Sequence, residues 1–303
     1  MVSTAGTGRR SRLTIGTAPD SWGVWFADDP QQTPWERFLD EVVTAGYRWI
    51  ELGPHGYLPT DPARLSDELE RRGLRVSAGT IFAALHRPDH YDQAWAQVEQ
   101  VAALTRAMGG THLVVIPGQW RSDTTGEALE PRTLDEAGWQ RLASGMDRLG
   151  REVRDGYGLQ LAFHSHADTH VDTQDEIERF LEMTDADAVK LCLDTGHVAY
   201  SGGDNLEIIR RYPDRIAYAH LKQVDPQVVA KAKAEDLGFG DAVKLGAMVE
   251  PPRGVPAMPP ILDALEGLDR DVFAIVEQDM YPCPVEQPLP IARRTFSYLT
   301  SCR

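Results

Sequence analysis

"VKLCLDTGH" occupies Val189–His197. Its first five residues are apolar save for Lys190, and the run then closes on Asp194, a Thr-Gly pair and His197. A short apolar run stopped by polar groups is the pattern of a strand buried on both faces, as in a parallel sheet. Seven further runs have this shape: "LTIGTAP" (13–19), "WIELG" (49–53), "RVSAGTIF" (75–82), "THLVVIP" (111–117), "LQLAFHSH" (159–166), "IAYAHLK" (216–222) and "VFAIVEQD" (272–279).

Helical patterns lie between these runs. "TPWERFLDEVVTAG" predicts a helix with Thr33 as N-cap, Pro34 at the first position, Glu36 completing a capping box and Gly46 as C-cap. "PARLSDELERRG" ends at Gly73 in the same way. "DTQDEIERFLEMT" opens with Asp172 and Glu176 and carries Ile177, Phe180 and Leu181 on one face. Eight alternations in 303 residues predict an α/β fold, a closed (β/α)8 TIM barrel. An open doubly wound sheet fits less well, because no Gly-x-Gly-x-x-Gly follows the first strand.

The rhythm breaks twice, at a polar loop over 118–133 and at a long segment over 223–257. The second, after the seventh strand, is expected to hold one short helix and a Pro/Gly-rich lid over the barrel mouth. Residues 1–12 have basic groups but no apolar stretch after them, and are expected to be a disordered tail; 13–303 are expected to form a single domain.

A formal net charge of −15 disfavours nucleic acid and anionic membranes, and favours a small-molecule partner. No apolar window is long enough to cross a bilayer. Three scattered cysteines suggest no disulfide framework and a reducing, cytoplasmic setting. A homo-oligomer is left open.

In a barrel the chemistry gathers at the C-terminal ends of the strands. Those ends carry Glu51, His164, His166, Asp194, His197, His220, Lys222, Glu277 and Asp279. Histidines and carboxylates converging on one mouth suit a divalent metal, Mn, Co, Zn or Mg. A purely salt-bridged cluster is the competing reading. Alternation along a strand gives His164 and His166 one parity, as it does His220 and Lys222. His170, beyond its strand, reads as a loop residue; His55, His86, His90 and His112 read as structural. "APDSWGVWF" after the first strand offers Trp22 and Trp25, and "GQW" after the fourth offers Gln119, as walls for a cyclic polyol. Packed structural tryptophans and a solvated loop are the alternatives there.

"GTAPDSWG", "ELG", "DTGH", "HLK" and "EQD", in that order along nearly the whole chain, resemble the xylose-isomerase-like TIM-barrel superfamily. The segment "AEDLGFGDAVKLGAMVEPPRG" makes the chain most similar to its inosose (2-keto-myo-inositol) dehydratase family. The resemblance implies metal ligands at His164, Asp194, His220 and Glu277, and substrate-side positions at His197 and Lys222. The implied reaction is dehydration of a keto-inositol through an enediolate that a divalent ion stabilises. Lys222, His166 and His197 are then the candidate acid and base groups, Glu277 serves as ligand and base, and Glu51 orients a substrate hydroxyl. A keto-sugar isomerase or epimerase is the alternative, and a non-catalytic sugar-binding barrel the second. His164 stands where many relatives carry Glu, which favours dehydration over epimerisation between two carboxylates. Gln223 departs from the family's usual acid, and no Pro follows Asp279.

Overall fold

The computed structural model describes residues 13–303, so the expected tail lies outside the described residues. All eight apolar runs are strands: β1 (Leu13–Thr17), β2 (Trp49–Glu51), β3 (Arg75–Ala83), β4 (His112–Pro117), β5 (Gln160–His164), β6 (Val189–Asp194), β7 (Ile216–Leu221) and, after a short ribbon, β10 (Val272–Val276). They close into a parallel barrel in the order β1-β10-β7-β6-β5-β4-β3-β2. The (β/α)8 barrel expected from the alternation is what the chain forms.

Register sets the site. Asp194 pairs with His220, and His220 with Ile275 on β10, so the polar ends of β6, β7 and β10 arrive at one level. Beneath them Ala78, Val114, Ala162, Cys192 and Ile275 leave room for one large side chain, Tyr218, which fills the barrel interior. The main core lies outside, between the strands and helices α1 (Trp35–Ala45), α2 (Pro62–Glu70), α3 (Tyr91–Ala107), α4 (Glu136–Tyr157), α5 (Gln174–Met183), α6 (Thr195–Tyr200), α7 (Asn205–Arg211), α10 (Met258–Glu266) and α11 (Pro288–Ser301).

Helix ends follow the sequence with two shifts. α1 begins one residue late, with Pro34 as N-cap and no side-chain cap. Thr33 is buried, its carbonyl accepts the Tyr57 hydroxyl, and its own hydroxyl caps nothing among the described residues. Gly46 does close α1, at φ +113°, where a β-carbon would also strike Phe296. α5 is capped by Thr173 in a full capping box with Glu176, rather than by Asp172.

The segment 223–257 holds more order than expected. It contains two helices, α8 (Pro226–Ala234) and α9 (Phe239–Lys244), and an antiparallel ribbon of β8 (Gln223–Val224) with β9 (Met248–Val249). A separate apolar cluster around Phe239, Val243 and Met248 holds it together. Among the described residues no helix is long and apolar enough to cross a membrane.

Candidate metal centre and active site

Asp194 ends β6 and caps α6. Its Oδ1 accepts the backbone N–H of Gly196 and of His197, both at 2.8 Å, which points Oδ2 into the barrel mouth. There Oδ2 lies 3.3 Å from His164 Nε2, 3.6 Å from His220 Nδ1 and 3.3 Å from Lys222 Nζ. Glu277, just past β10, brings Oε2 within 2.8 Å of His220 Nδ1 and 3.2 Å of Lys222 Nζ. The glycine of "DTGH" matters here, since a β-carbon at Gly196 would overlap the stem of Lys222.

His164, Asp194, His220 and Glu277 each offer one donor atom, and the four atoms lie within 4.8 Å of one another. Three observations fit a divalent cation among them. First, His220 Nε2 is 2.7 Å from Glu51 Oε1, the arrangement in which an acid fixes the tautomer of a ligand imidazole and turns the other nitrogen to the metal. Second, His220 Nδ1, the nitrogen that faces Asp194 and Glu277, is buried without a hydrogen-bond partner among the described residues; the close approach of Glu277 is off the hydrogen-bonding angle. Third, negative charge is in excess. Burial, with Glu277 and Asp279 adding to it and Lys222 and His220 opposing, drives the Asp20 carboxyl well above the usual range. Two imidazoles and two carboxylates suit divalent transition metals.

The proton-transfer candidates surround this cluster. Lys222 is buried, which lowers an amine's proton affinity, but Asp194, Asp279 and Glu277 outweigh burial and hold it well above the usual range. It is an ammonium, 2.8 Å from Asp279 Oδ2. His166 is the opposite case. Burial brings it down to about 4, so the ring is neutral near pH 7. Its Nδ1 donates to the Ala167 carbonyl at 2.7 Å, which leaves Nε2 with a free lone pair. His197 accepts the Ala167 N–H on Nδ1 and stands behind Lys222, away from the cavity wall.

A cavity of about 680 Å³ opens above, lined by His164, His166, His220, Lys222, Glu277 and Glu51, and by Trp25 and Gln119 on the rim. Two of the expected wall residues behave differently. Trp22 lies outside this cavity: the chain leaves β1 into a single 3₁₀ turn (Pro19–Trp22), and the indole is fully buried against Phe38 with Nε1 donating to Glu41 at 2.9 Å. Its residue type suited a sugar face, but its direction makes it core. Gln119 does reach the rim, where its amide is held by Asp123. Glu51 lines the floor, yet its carboxylate is engaged by His220 and, at 2.8 Å, by Thr80 Oγ1.

Sequence reasoning put Asp20 in the substrate-facing stretch and Asp279 among the strand-end acids without an individual role for either, and left Phe239 out. Asp20 and Asp279 enter the cavity beside Glu277, and both stood in quoted strand-end stretches. Phe239 comes from α9 and packs on His166 and His197 at ring distances of 5.0 and 4.9 Å. A glycine follows it because a β-carbon at Gly240 would overlap the Asp123 carbonyl. His170 is a loop residue, as expected, but not a free one. It is buried, with Nδ1 at 3.0 Å from the Arg132 carbonyl and Nε2 at 3.1 Å from Glu130, which also takes His86 Nε2 at 2.8 Å.

The sequence matches the model of the xylose isomerase-like TIM barrel over residues 39–302. An inosose dehydratase of Lacticaseibacillus casei is 33% identical over 295 residues, 95% of this chain and 96% of that one. An inosose dehydratase of Clostridium perfringens is 28% identical over the same length, 95% of this chain and 97% of that one. Among solved structures, the IOLI protein with a bound zinc atom superimposes with a TM-score of 0.70 at 16% identity, covering 95% of this chain and 98% of that one. An L-ribulose 3-epimerase does so at 0.68 and 20%, covering 96% of each chain. These two likenesses show the shared barrel. From strand order, family model and full-length relatives together, the chain belongs to the xylose isomerase-like TIM barrel family.

Proposed function

We propose that the chain is a metal-dependent hydro-lyase that removes water from a keto-inositol. The observation that carries this reading is the pairing of an ammonium, Lys222, with a neutral imidazole, His166, on the wall of one cavity beside a four-donor cluster. Elimination next to a ketone needs such a pair, a base for the α-hydrogen and an acid for the departing β-hydroxyl. The names of the curated relatives support the same reaction.

A divalent ion held by His164, Asp194, His220 and Glu277 would supply Lewis acidity to a substrate carbonyl. The protein's own groups do the rest. His166 Nε2 takes the α-proton, the C–H electron pair becomes the new C=C bond, and the C–O pair leaves with a proton from Lys222 as water. Substrate minus water is product, and the two side chains return to their starting states by exchange with solvent. Asp279 holds the ammonium in place, and Glu51 holds the His220 ring. Trp25 and Phe239 cover the apolar faces of the ring. The single-domain organisation of 13–303 and a cytoplasmic setting, both drawn from composition and patterning, belong to the same proposal.

The experiment is to load metal-stripped protein with Mn or Co and follow 2-keto-myo-inositol by ultraviolet absorbance for a conjugated product. Turnover is expected, and Lys222→Met is expected to lower kcat by ~10²–10⁴. Conversion of a ketohexose to its epimer, with no elimination from 2-keto-myo-inositol, would replace this reading with an isomerase. Bound metal with no turnover of either would leave a sugar-binding barrel.

A further inference from the structure

We infer that the natural substrate is a polyol ring bearing an aromatic or other apolar substituent, seated in a slot that leads outward from the polar floor. This rests on the reading of that floor as the site for a ring ketone. The floor and the outer cavity differ in chemistry. Outward from His166 runs an aromatic cluster, of which Phe239, Trp25 and Phe26 line the cavity and Tyr281 backs them. Phe239 is followed by Trp25 at 6.5 Å, nearly parallel at 16°, and Trp25 stacks in turn on Tyr281 at 5.3 Å. Phe26 then meets Tyr281 edge-on at 5.2 Å.

Ile81, Phe82, Ile116 and Leu129, from β3, β4 and the loop after β4, line the same cavity. Phe82 is 53% and Leu129 58% exposed, large apolar groups facing water at the lip of a cavity rather than scattered over the surface. A bare cyclic polyol has hydroxyls all round its rim and covers none of them. At about 680 Å³ the cavity falls in the range of roughly 300–1,000 Å³ typical of drug-sized ligands, which leaves space beyond one six-membered ring. An aryl group extending outward from that ring, against Phe82 and Leu129, buries apolar surface on both partners.

The test uses two non-reacting ring polyols, phenyl β-D-glucopyranoside and methyl β-D-glucopyranoside, titrated calorimetrically into the metal-loaded full chain. The phenyl compound is expected to bind about tenfold more tightly, the order returned by burying one aryl face. In the double variant Phe82→Ser/Leu129→Ser, with fold checked by circular dichroism, the ratio is expected to fall below about threefold. Equal affinity of the two probes in the unmodified chain, including no binding of either, overturns the inference, as does a ratio that survives the double substitution. Light scattering adds a separate outcome: a dimer that the double variant converts to monomer means these side chains cover a second copy instead, and also overturns it. Turnover plays no part in the titration. Failure of 2-keto-myo-inositol to react, with the phenyl preference intact, removes the dehydratase reading alone; turnover with equal probes removes this inference alone.

Discussion

Glu51 and His220 reach across the barrel from β2 and β7 to meet at 2.7 Å, Oε1 to Nε2. The contact settles which imidazole nitrogen faces Asp194 and Glu277. It also gives Glu51, expected to orient a substrate hydroxyl, a second part, orienting the histidine that the proposed ion would meet.

Replacing Glu51 should therefore act on the metal before it acts on substrate. Glu51→Ala is expected to weaken Mn or Co binding by roughly 10–100-fold, with Glu51→Gln at the low end because the amide oxygen still accepts from Nε2. A competitive chelator titration reads this directly. A raised KM at unchanged metal affinity would restore the substrate-binding role.

His220→Ala removes a donor itself and should cost more than the Glu51 variants. Elemental analysis after gel filtration is expected to show metal content falling to background, with turnover lost in parallel. Stripping the unmodified chain with a chelator should abolish turnover, and adding Mn or Co should restore it. Full metal content and activity in His220→Ala would sink the four-donor assignment.

Trp22→Phe separates core from cavity. The indole donates to the buried Glu41 carboxylate, so its loss is expected to destabilise the fold by about 1–3 kcal/mol in chemical denaturation. Because Trp22 does not line the cavity, KM for the ketone should be unaltered. A stable variant with a weakened KM contradicts the structure.

Asp123 gives a pH dependence. Burial pushes its carboxyl up to about 7, the Gln119 amide opposing the shift. In the unfolded chain an aspartate titrates near ~3.9, so between about pH 4 and 7 the folded state binds more protons than the unfolded one. This group's contribution is complete below about pH 4 and is lost as pH rises through about 7. The stability of the unmodified chain relative to Asp123→Asn should therefore fall with rising pH across that interval. An identical profile in the variant would show that the carboxyl ionises normally.

The strands were legible because each is a compact apolar run closed by a polar residue, a signal that survives burial on both faces. The convergence of the four donors was legible for the same reason: strand-end residues follow the barrel's parity, and His164, Asp194, His220 and Glu277 arrive together. Trp22 was misread where that parity stops, at Thr17, because a 3₁₀ turn rotates side chains out of the alternation. The contacts of His86, Glu130 and His170 were illegible because three separate loops supply them. The two-residue strands β8 and β9 are too short to show any period. Thr33 is an N-cap residue by type, but Pro34 takes the N-cap position and the Thr33 carbonyl instead receives a long-range hydrogen bond from Tyr57.

Gly240 presses α9 against the Asp123 carbonyl with no side chain between them. The roof of the cavity, with Phe239 on its underside, thus rests directly on the rim. One added methyl group is enough to jack the roof upward, so headroom for larger guests is adjustable at a single residue that does not itself line the cavity. Gly240→Ala is the natural first step for anyone enlarging the range of molecules this barrel accepts.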